Sequence, residues 1–494
     1  MNRANSIRLA YIGCMLRVCR LVGVLLWLLC SCNDSSPTTA ASEDLPVEVQ
    51  SEETQLSNDV EKDVEDQSDP DTETRPASRP NILLIIADDI GVEASRCYQV
   101  GQNLAPTPNI ESLCDRGLVF ENMWSAPICS PTRAALLTGR YSYRTDVGNT
   151  IQPGHPGLSL EEWSIPKVLD ANPALGYSHA CIGKWHLGPA MDKDHPNKLG
   201  FDYFSGLLIG GVQSYTDWKE TTNGVTQTNN QYATSRHVDL AIDWVDAQTG
   251  PWFLWLALVS PHNPVHLPPA QLHSFSELSG TDEDIEANGG AYFRAMIQAM
   301  DTEIGRLFTA IGDEQMANTV VIYLGDNGTS AKVIEAPYEA KKSKGSLYQG
   351  GVHVPFVMAG PGVSPGSGRS SALTHVVDLF ATILDIAGVD WSTVPADVEL
   401  DSLSLIPVLN GTKDTAHSWV LTEMFGGAGA NKTGKAVRDE SYKLTRLLSG
   451  TERFYDLKAD PYETAPLKKM ALDSDAQSHF DTLSAVLDSL PAIE

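Results

Sequence analysis

Four short apolar runs, each ending abruptly in charged or polar residues, constrain the fold of this chain more than any other feature. "NILLIIADD" ends in Asp88 and Asp89, "YSHACIGKWH" in Lys184 and His186, "WFLWLALVSPH" in His262, and "TVVIYLGDN" in Asp326 and Asn327. Near-continuous apolar runs of this length suit strands buried on both faces, as in a parallel sheet covered by helices. Helical patterns lie between them, among them "TPNIESLCDRG" and "AYFRAMIQAMDTEIGRLFTAIG". Alternating strands and helices predict an α/β fold. Open α/β sheets bind ligands beyond the carboxyl ends of their strands. All four polar clusters fall there, so they predict one shared site.

The chain beyond residue 409 reads differently. "KAVRDESYKLTRLL" and "ERFYDLKADPYE" have the look of short antiparallel strands joined by turns. They predict a smaller C-terminal α+β subdomain over 410–494, following a main domain over 79–409. No internal repeat is visible.

Charge separates the N-terminal part from this body. Of a formal net charge of −28 over 494 residues, residues 33–79 carry −11, from 14 acidic and 3 basic side chains. An acidic chain disfavours nucleic acid as a partner. The stretch 33–78 is rich in Ser, Thr, Glu, Asp and Pro and too poor in apolar residues to order itself, so it reads as a disordered, self-repelling linker. Ahead of it, Arg3, Arg8, Arg17 and Arg20 precede the apolar run Leu21 to Leu29. That is the pattern of a secretory signal over 1–32, too short for a comfortable membrane span. The run ends in "LCSC", which resembles a bacterial lipobox and implies lipidation of Cys32, with Cys30 an unusual residue at its position. The expected location is therefore exported, in the periplasm or at the cell surface, held to a membrane by acyl chains. A plain cleaved signal is the other reading.

Eight cysteines show no close-spaced framework. Cys14, Cys19, Cys30 and Cys32 fall in the targeting region. For Cys97 and Cys114 two readings stand open: a disulfide in an oxidising compartment, or two small buried apolar side chains. Cys181 is likewise unassigned.

Two adjacent carboxylates at a strand end repel each other and call for a cation. Alone, Asp88-Asp89 is as well read as a helix cap or a solvated turn. With Asp326 and Asn327 after a second apolar run, the set offers four hard oxygen ligands, which suit Ca²⁺ or Mg²⁺. No His-rich or Cys-rich cluster accompanies them to favour zinc. Lys184, His186, His262 and Lys344 add cations and proton-transfer groups. Each alone has a bland explanation; together with a metal they fit an anionic substrate with equatorial oxygens, a phosphate or a sulfate group.

Cys129 stands in "APICSPTRAALLTGRY", two residues before a turn-forming Pro131 and four before Arg133, with a helical run after them. This is a Cys-x-Pro-x-Arg signature, and here the sequence resembles the sulfatase family of formylglycine-dependent enzymes. The resemblance runs from "RPNILLIIADDIG" through "GKWHLG", "SPHNP", "YLGDNG" and "KGSLYQGGVHVPFV" to "FYDLKADPYE", essentially all of the chain from Arg79 onward. It implies an alkaline-phosphatase-like fold, a mixed, mostly parallel sheet sandwiched by helices. It further implies that a formylglycine-generating maturation enzyme oxidises Cys129 to formylglycine (3-oxoalanine). The hydrated aldehyde attacks sulfur with one hydroxyl and expels sulfate by collapse through the other, which avoids a second, sluggish sulfate ester.

The resemblance carries roles residue by residue. Asp88, Asp89, Asp326 and Asn327 match the ligands of a divalent metal, usually Ca²⁺, with Asp326 also placed to help deprotonate the attacking hydroxyl. Arg133 matches the residue that holds the formylglycine. Lys184 and Lys344 match the cations on the sulfate oxygens, Lys184 bridging to the diol as well. His262, with Lys344, matches the general acid for the leaving alcohol, and His186 the base that acts during sulfate expulsion. Ser214 in "VQSY" corresponds loosely to a serine that contacts sulfate in some relatives. Thr132 stands where Ser is common, and Glu93-Ala94 where many relatives have a Gly-Asp pair.

The implied activity is hydrolysis of sulfate esters, with sulfated carbohydrates as the expected substrates given an exported chain. A phosphonate or phosphodiester hydrolase of the same superfamily is the alternative. A surface-anchored binding lipoprotein with a dead site is the remote one, since every site residue is present. "GGVQSYTDWKETTNGVTQTNNQY" is a candidate specificity loop.

Overall fold

The computed structural model describes residues 79–152, 154–363 and 368–493. The signal segment, Cys32 and the acidic stretch 33–78 lie outside the described residues. Ten strands form the main sheet: β1 (Asn81–Ala87), β2 (Leu118–Trp124), β3 (Ser178–Lys184), β4 (Tyr203–Leu207), β5 (Trp218–Thr222), β6 (Val225–Asn229), β7 (Trp252–Leu258), β8 (Thr319–Gly325), β9 (Phe356–Ala359) and β10 (Gly368–His375). Their order is β10-β2-β9-β8-β1-β7-β3-β4-β5-β6. The run β8-β1-β7-β3-β4 is parallel throughout, and β9, β5 and β6 join antiparallel. The four apolar runs read from sequence are β1, β3, β7 and β8, and they are immediate neighbours at the centre.

Helices cover both faces, which explains why these strands are apolar without alternation. Ile82, Leu84, Ile86, Phe253, Trp255, Ile322 and Leu324 point to one face. There they meet α2 (Cys129–Thr138), α5 (Asp378–Ala387) and α6 (Ser474–Ser489). Leu83, Ile85, Leu254, Leu256, Val321 and Tyr323 point to the other. They meet α1 (Pro108–Arg116), α3 (Ala233–Asp246) and α4 (Asp282–Ile311).

A second sheet of β11 (Val420–Met424), β12 (Gly434–Arg438), β13 (Tyr442–Leu447) and β14 (Glu452–Asp456) is antiparallel, in chain order. Its Leu421, Val437, Leu444 and Phe454 join the same hydrophobic cluster as α6 and one face of the main sheet.

Two local expectations change. Helix α2 does not follow the Cys-x-Pro-x-Arg signature but begins at Cys129 itself, with Ile128 as its N-cap. Pro131 fits there because the first turn of a helix has no intrahelical acceptor for its N–H groups. The open question about Cys97 and Cys114 resolves as a disulfide, with Cα atoms 6.2 Å apart. Cys181 is a free, buried thiol within β3. Among the described residues no helix is long and apolar enough to cross a membrane.

Candidate active site

The carboxyl ends of β1, β8, β3 and β7 deliver Asp88-Asp89, Asp326-Asn327, Lys184-His186 and His262 to one place. Asp88, Asp89, Asp326 and Asn327 are at most 1% exposed. The Lys184 ammonium donates to Asp88 Oδ2 at 2.6 Å. Lys344, from the segment after β8, donates to Asp89 Oδ1, which also accepts from the Asn327 amide at 2.9 Å. The Asp89 N–H donates to Asp326 Oδ1 at 3.1 Å. Arg133, on α2, grips Asp326 Oδ2 through Nε and Nη2 at 3.1 and 2.8 Å, and donates through Nη1 to the Lys184 carbonyl at 2.7 Å. Thus Arg133 ties the helix bearing Cys129 to two of the strand ends.

Backbone conformation aims these groups. Asp89 and His186 both take left-handed φ, 71° and 55°, which costs a non-glycine residue free energy and persists only where surrounding contacts enforce it. Gly183, before Lys184, has φ 101° and lies where a Cβ would collide with the Ala257 carbonyl oxygen. A side chain there would push β3 from β7 and displace Lys184.

Three buried oxygens in this cluster have no hydrogen-bond partner among the described residues: Asp88 Oδ1, Asp89 Oδ2 and Asn327 Oδ1. Unpaired buried oxygens are costly, and all three belong to residues that sequence alone marked as hard ligands. Carboxylate oxygens of Asp88 and Asp326 lie within 4.8 Å of each other and of Cys129 Sγ, and the same holds for Asp88, Asp89 and His262 Nε2 or Nδ1. The donor set fits a hard divalent cation.

The electrostatics point the same way. Burial, then the neighbouring Asp326, pushes Asp88 well above the usual carboxylate range, against Lys184. A divalent cation would reverse that. At Asp89 burial is outweighed by Lys344, His262 and Lys184, which hold it well below that range. At Asp326 burial is likewise outweighed, by Arg133 and Lys184.

Cys129 is 2% exposed at the first position of α2, and its Sγ lies 3.2 Å from His186 Nδ1. Burial and the cations Lys184, Arg133 and Lys344 push His186 well below its usual value, so it is a neutral base. Burial, then Lys184, brings His262 down to about 4. Its Nδ1 lies 2.9 Å from the Asn263 carbonyl and its Nε2 3.9 Å from Asp89 Oδ2.

Ser214 sits apart from these contacts. Its hydroxyl pairs with Thr216 at 3.3 Å in an exposed turn closed by a bridge to Asp217. The same loop reaches the site through glycines instead: a Cβ on Gly210 would collide with the His186 ring, and one on Gly211 would lie 2.9 Å from His262 Nδ1.

Sequence reasoning missed what fixes Lys344. Glu463, in "DPYE" and 1% exposed, accepts from the Gln349 N–H and pairs with Lys443 at 2.8 Å. Lys443 also donates to the Leu347 carbonyl at 2.6 Å, and Lys342 to the Glu463 carbonyl at 2.8 Å. Strand β13, through Lys443, and the loop after β14, through Glu463, therefore clamp both ends of the segment bearing Lys344. Glu463→Ala strands the Lys443 charge and is expected to cost about 3–5 kcal/mol of stability in urea unfolding. Glu463→Gln keeps an acceptor for Gln349 and is expected to cost less.

Glu93, where relatives differ, is a second buried acid, 5% exposed and beside Thr329. Burial raises it from 4.5 to about 7. Between those values only the unfolded chain ionises, so the fold loses about 3 kcal/mol as pH rises from 4.5 to 7. Glu93→Gln is expected to abolish that loss, read from urea unfolding at both pH values. Equal pH dependence in both proteins would refute the assignment.

Comparison with known proteins agrees with this geometry. The sulfatase family model matches residues 80–389, and the model "N-sulphoglucosamine sulphohydrolase, C-terminal" matches 342–489. The chain is 27% identical over 467 residues to arylsulfatase G of Rattus norvegicus, covering 80% of this chain and 84% of the relative. It is 31% identical over 366 residues to N-acetylgalactosamine-6-sulfatase of Homo sapiens, covering 67% of this chain and 66% of the relative. Its fold is similar to the crystal structure of Ps i-CgsB, with a TM-score of 0.71 and 25% identity over 83% of this chain and 93% of that one. The chain belongs to the sulfatase family and is a sulfuric ester hydrolase on an alkaline-phosphatase-like fold.

Proposed function

We propose that the chain removes sulfate from sulfated carbohydrates, using formylglycine made from Cys129 and a divalent cation, Ca²⁺ or Mg²⁺. The observation that carries this reading is the convergence of Cys129 with Asp88 and Asp326, among the cations Lys184, Lys344 and Arg133. The carbohydrate substrate is supported by the name of one relative, N-acetylgalactosamine-6-sulfatase.

Asp88, Asp89, Asp326 and Asn327 would hold the cation, which supplies Lewis-acid polarisation of a sulfate oxygen. Formylglycine at position 129, once hydrated, would supply a nucleophilic hydroxyl and a second hydroxyl for release of sulfate. The chain's own residues do the rest. Arg133, locked on Asp326, holds residue 129 at the head of α2. Lys184 and Lys344 neutralise the sulfate oxygens in a largely buried site. His186, neutral and beside residue 129, takes the proton when sulfate leaves. The negative charge of the substrate favours the protonated form of His262, which with Lys344 gives a proton to the leaving alcohol. Gly210 and Gly211 leave room for both imidazoles. Ser214 would reach sulfate only if its turn moved.

The same reading takes residues 79–409 as the catalytic domain, 410–494 as the subdomain that sets the Lys344 segment, 1–32 as a lipoprotein signal and 33–78 as a linker. The matured chain would be exported and lipid-anchored at Cys32, in the periplasm or at the cell surface. A maturation enzyme would be its partner before activity. The test is peptide mass spectrometry on protein from its own host. The expected result is that the Cys129 peptide shows the mass change for –CH₂SH becoming –CHO, together with hydrolysis of a sulfated glycan. An unmodified thiol in active protein would overturn the formylglycine reading.

A further inference from the structure

Between the segment that carries Lys344 and the second sheet lies a groove of about 300 Å³ that the catalytic scheme leaves unused. Its lining includes Lys341, Tyr348, Asn431, Lys432 and Arg453, and no carboxylate. On a chain with 63 acidic and 35 basic residues, a cleft lined by three cations and no acid is unusual. Lys341 is paired, with Glu339 at 2.9 Å. Among the described residues the side chains of Lys432 and Arg453 have no ion pair. The Arg453 guanidinium and the Lys342 ammonium lie 5.7 and 5.6 Å from the centroid of the Tyr348 ring, so cations flank an aromatic platform.

Both walls of the groove lead to residue 129. One wall begins at Gly345, whose N–H donates to the Pro127 carbonyl at 2.8 Å, two residues before Cys129. The other wall, Asn431 and Lys432, continues the loop that holds Gly426. The Gly426 carbonyl accepts from Asn149 at 3.1 Å, and the Ile151 N–H donates to Ser130 Oγ at 3.2 Å. Both walls thus belong to segments tethered to the backbone around Cys129.

We propose that this groove is an accessory subsite for a second anionic group on the same glycan chain, a sulfate or a carboxylate held by Arg453 and Lys432. This rests on the sulfated-carbohydrate reading above and deepens it: the substrate is a polyanionic oligosaccharide or polysaccharide, sulfated or acidic on more than one residue. An Arg fork matches two oxygens of such a group, and a neighbouring ammonium adds charge without geometric demand. The rim is solvated, so the attraction is salt-sensitive.

The test measures binding of dextran sulfate by full-length Cys129→Ala protein at moderate salt, with neutral dextran as a blank. Arg453→Ala/Lys432→Ala in that background is expected to weaken binding by about tenfold. The matched pair Arg116→Ala/Lys413→Ala, two exposed cations outside the groove, is expected to change it less than about twofold. Equal weakening by both pairs, or none by the first, would overturn the subsite. Because binding is read in a protein without residue 129 chemistry, this failure is separate from failure of the hydrolase reading. That would appear as no desulfation by matured wild-type protein.

Discussion

Replacing Cys129 by alanine is expected to lower kcat/KM toward a sulfate ester by about 10⁴-fold or more, as for other enzymes stripped of their nucleophile. The reasoning is geometric. Cys129 stands at the head of α2, beside His186, with its Sγ within 4.8 Å of carboxylate oxygens of Asp88 and Asp326. No neighbouring serine or threonine takes its place: Ser130 points its hydroxyl to the His186 carbonyl at 2.8 Å, and Thr132 caps the turn at Ala126. Cys129→Ser is expected to fail as severely, because serine offers a single hydroxyl. The check is steady-state hydrolysis by variants with unchanged urea-unfolding midpoints. More than a few per cent of wild-type turnover in Cys129→Ala would mean that another group attacks sulfur.

The second large effect concerns the cation. Protein stripped with EDTA is expected to gain about 2.7 kcal/mol of stability when Ca²⁺ is added at a hundred times its dissociation constant. That is a rise of several degrees in Tm for a chain of this size. The source is the relief of Asp88 Oδ1, Asp89 Oδ2 and Asn327 Oδ1, all buried without a partner. Asn327→Ala removes one of those oxygens without stranding a charge, and is expected to cut Ca²⁺ affinity by about tenfold or more. Calorimetry with the metal alone reads this without any turnover. An Asn327→Ala protein with wild-type affinity would remove that residue from the ligand set.

Much of this was legible in the residues themselves, for a physical reason. Strands buried on both faces must be apolar along their whole length, so β1, β3, β7 and β8 announce themselves, and so does the abrupt polarity at their ends. What escaped was whatever depends on tertiary neighbours. Nothing in "DPYE" shows that Glu463 reaches Lys443 and Gln349, because those partners come from elsewhere in the chain. Nothing in "GGVQSY" shows that Gly210 and Gly211 pack on the two histidines while Ser214 turns away, since a loop's register is set by what it lies against. The start of α2 is hidden in the sequence because Pro131 reads as a turn residue, yet a first-turn proline is compatible with a helix.

The strand order has a kinetic meaning. Neighbours β8, β1, β7 and β3 begin at residues 319, 81, 252 and 178, so every contact that defines the centre closes a long loop. Asp89 and Asn327 lie 238 positions apart, and Asp89 and Lys344 lie 255 apart. Folds dominated by such distant pairings cross their barrier slowly, because the entropy of closure is spent before the contacts reward it. On a growing chain the Asp88-Asp89 pair emerges long before the cations that neutralise it, and β1 waits without either of its neighbours. The hydrolytic centre is therefore a late product of folding: it is complete only when β8 has closed on β1 and brought Asp326, Asn327 and Lys344 to the earlier residues.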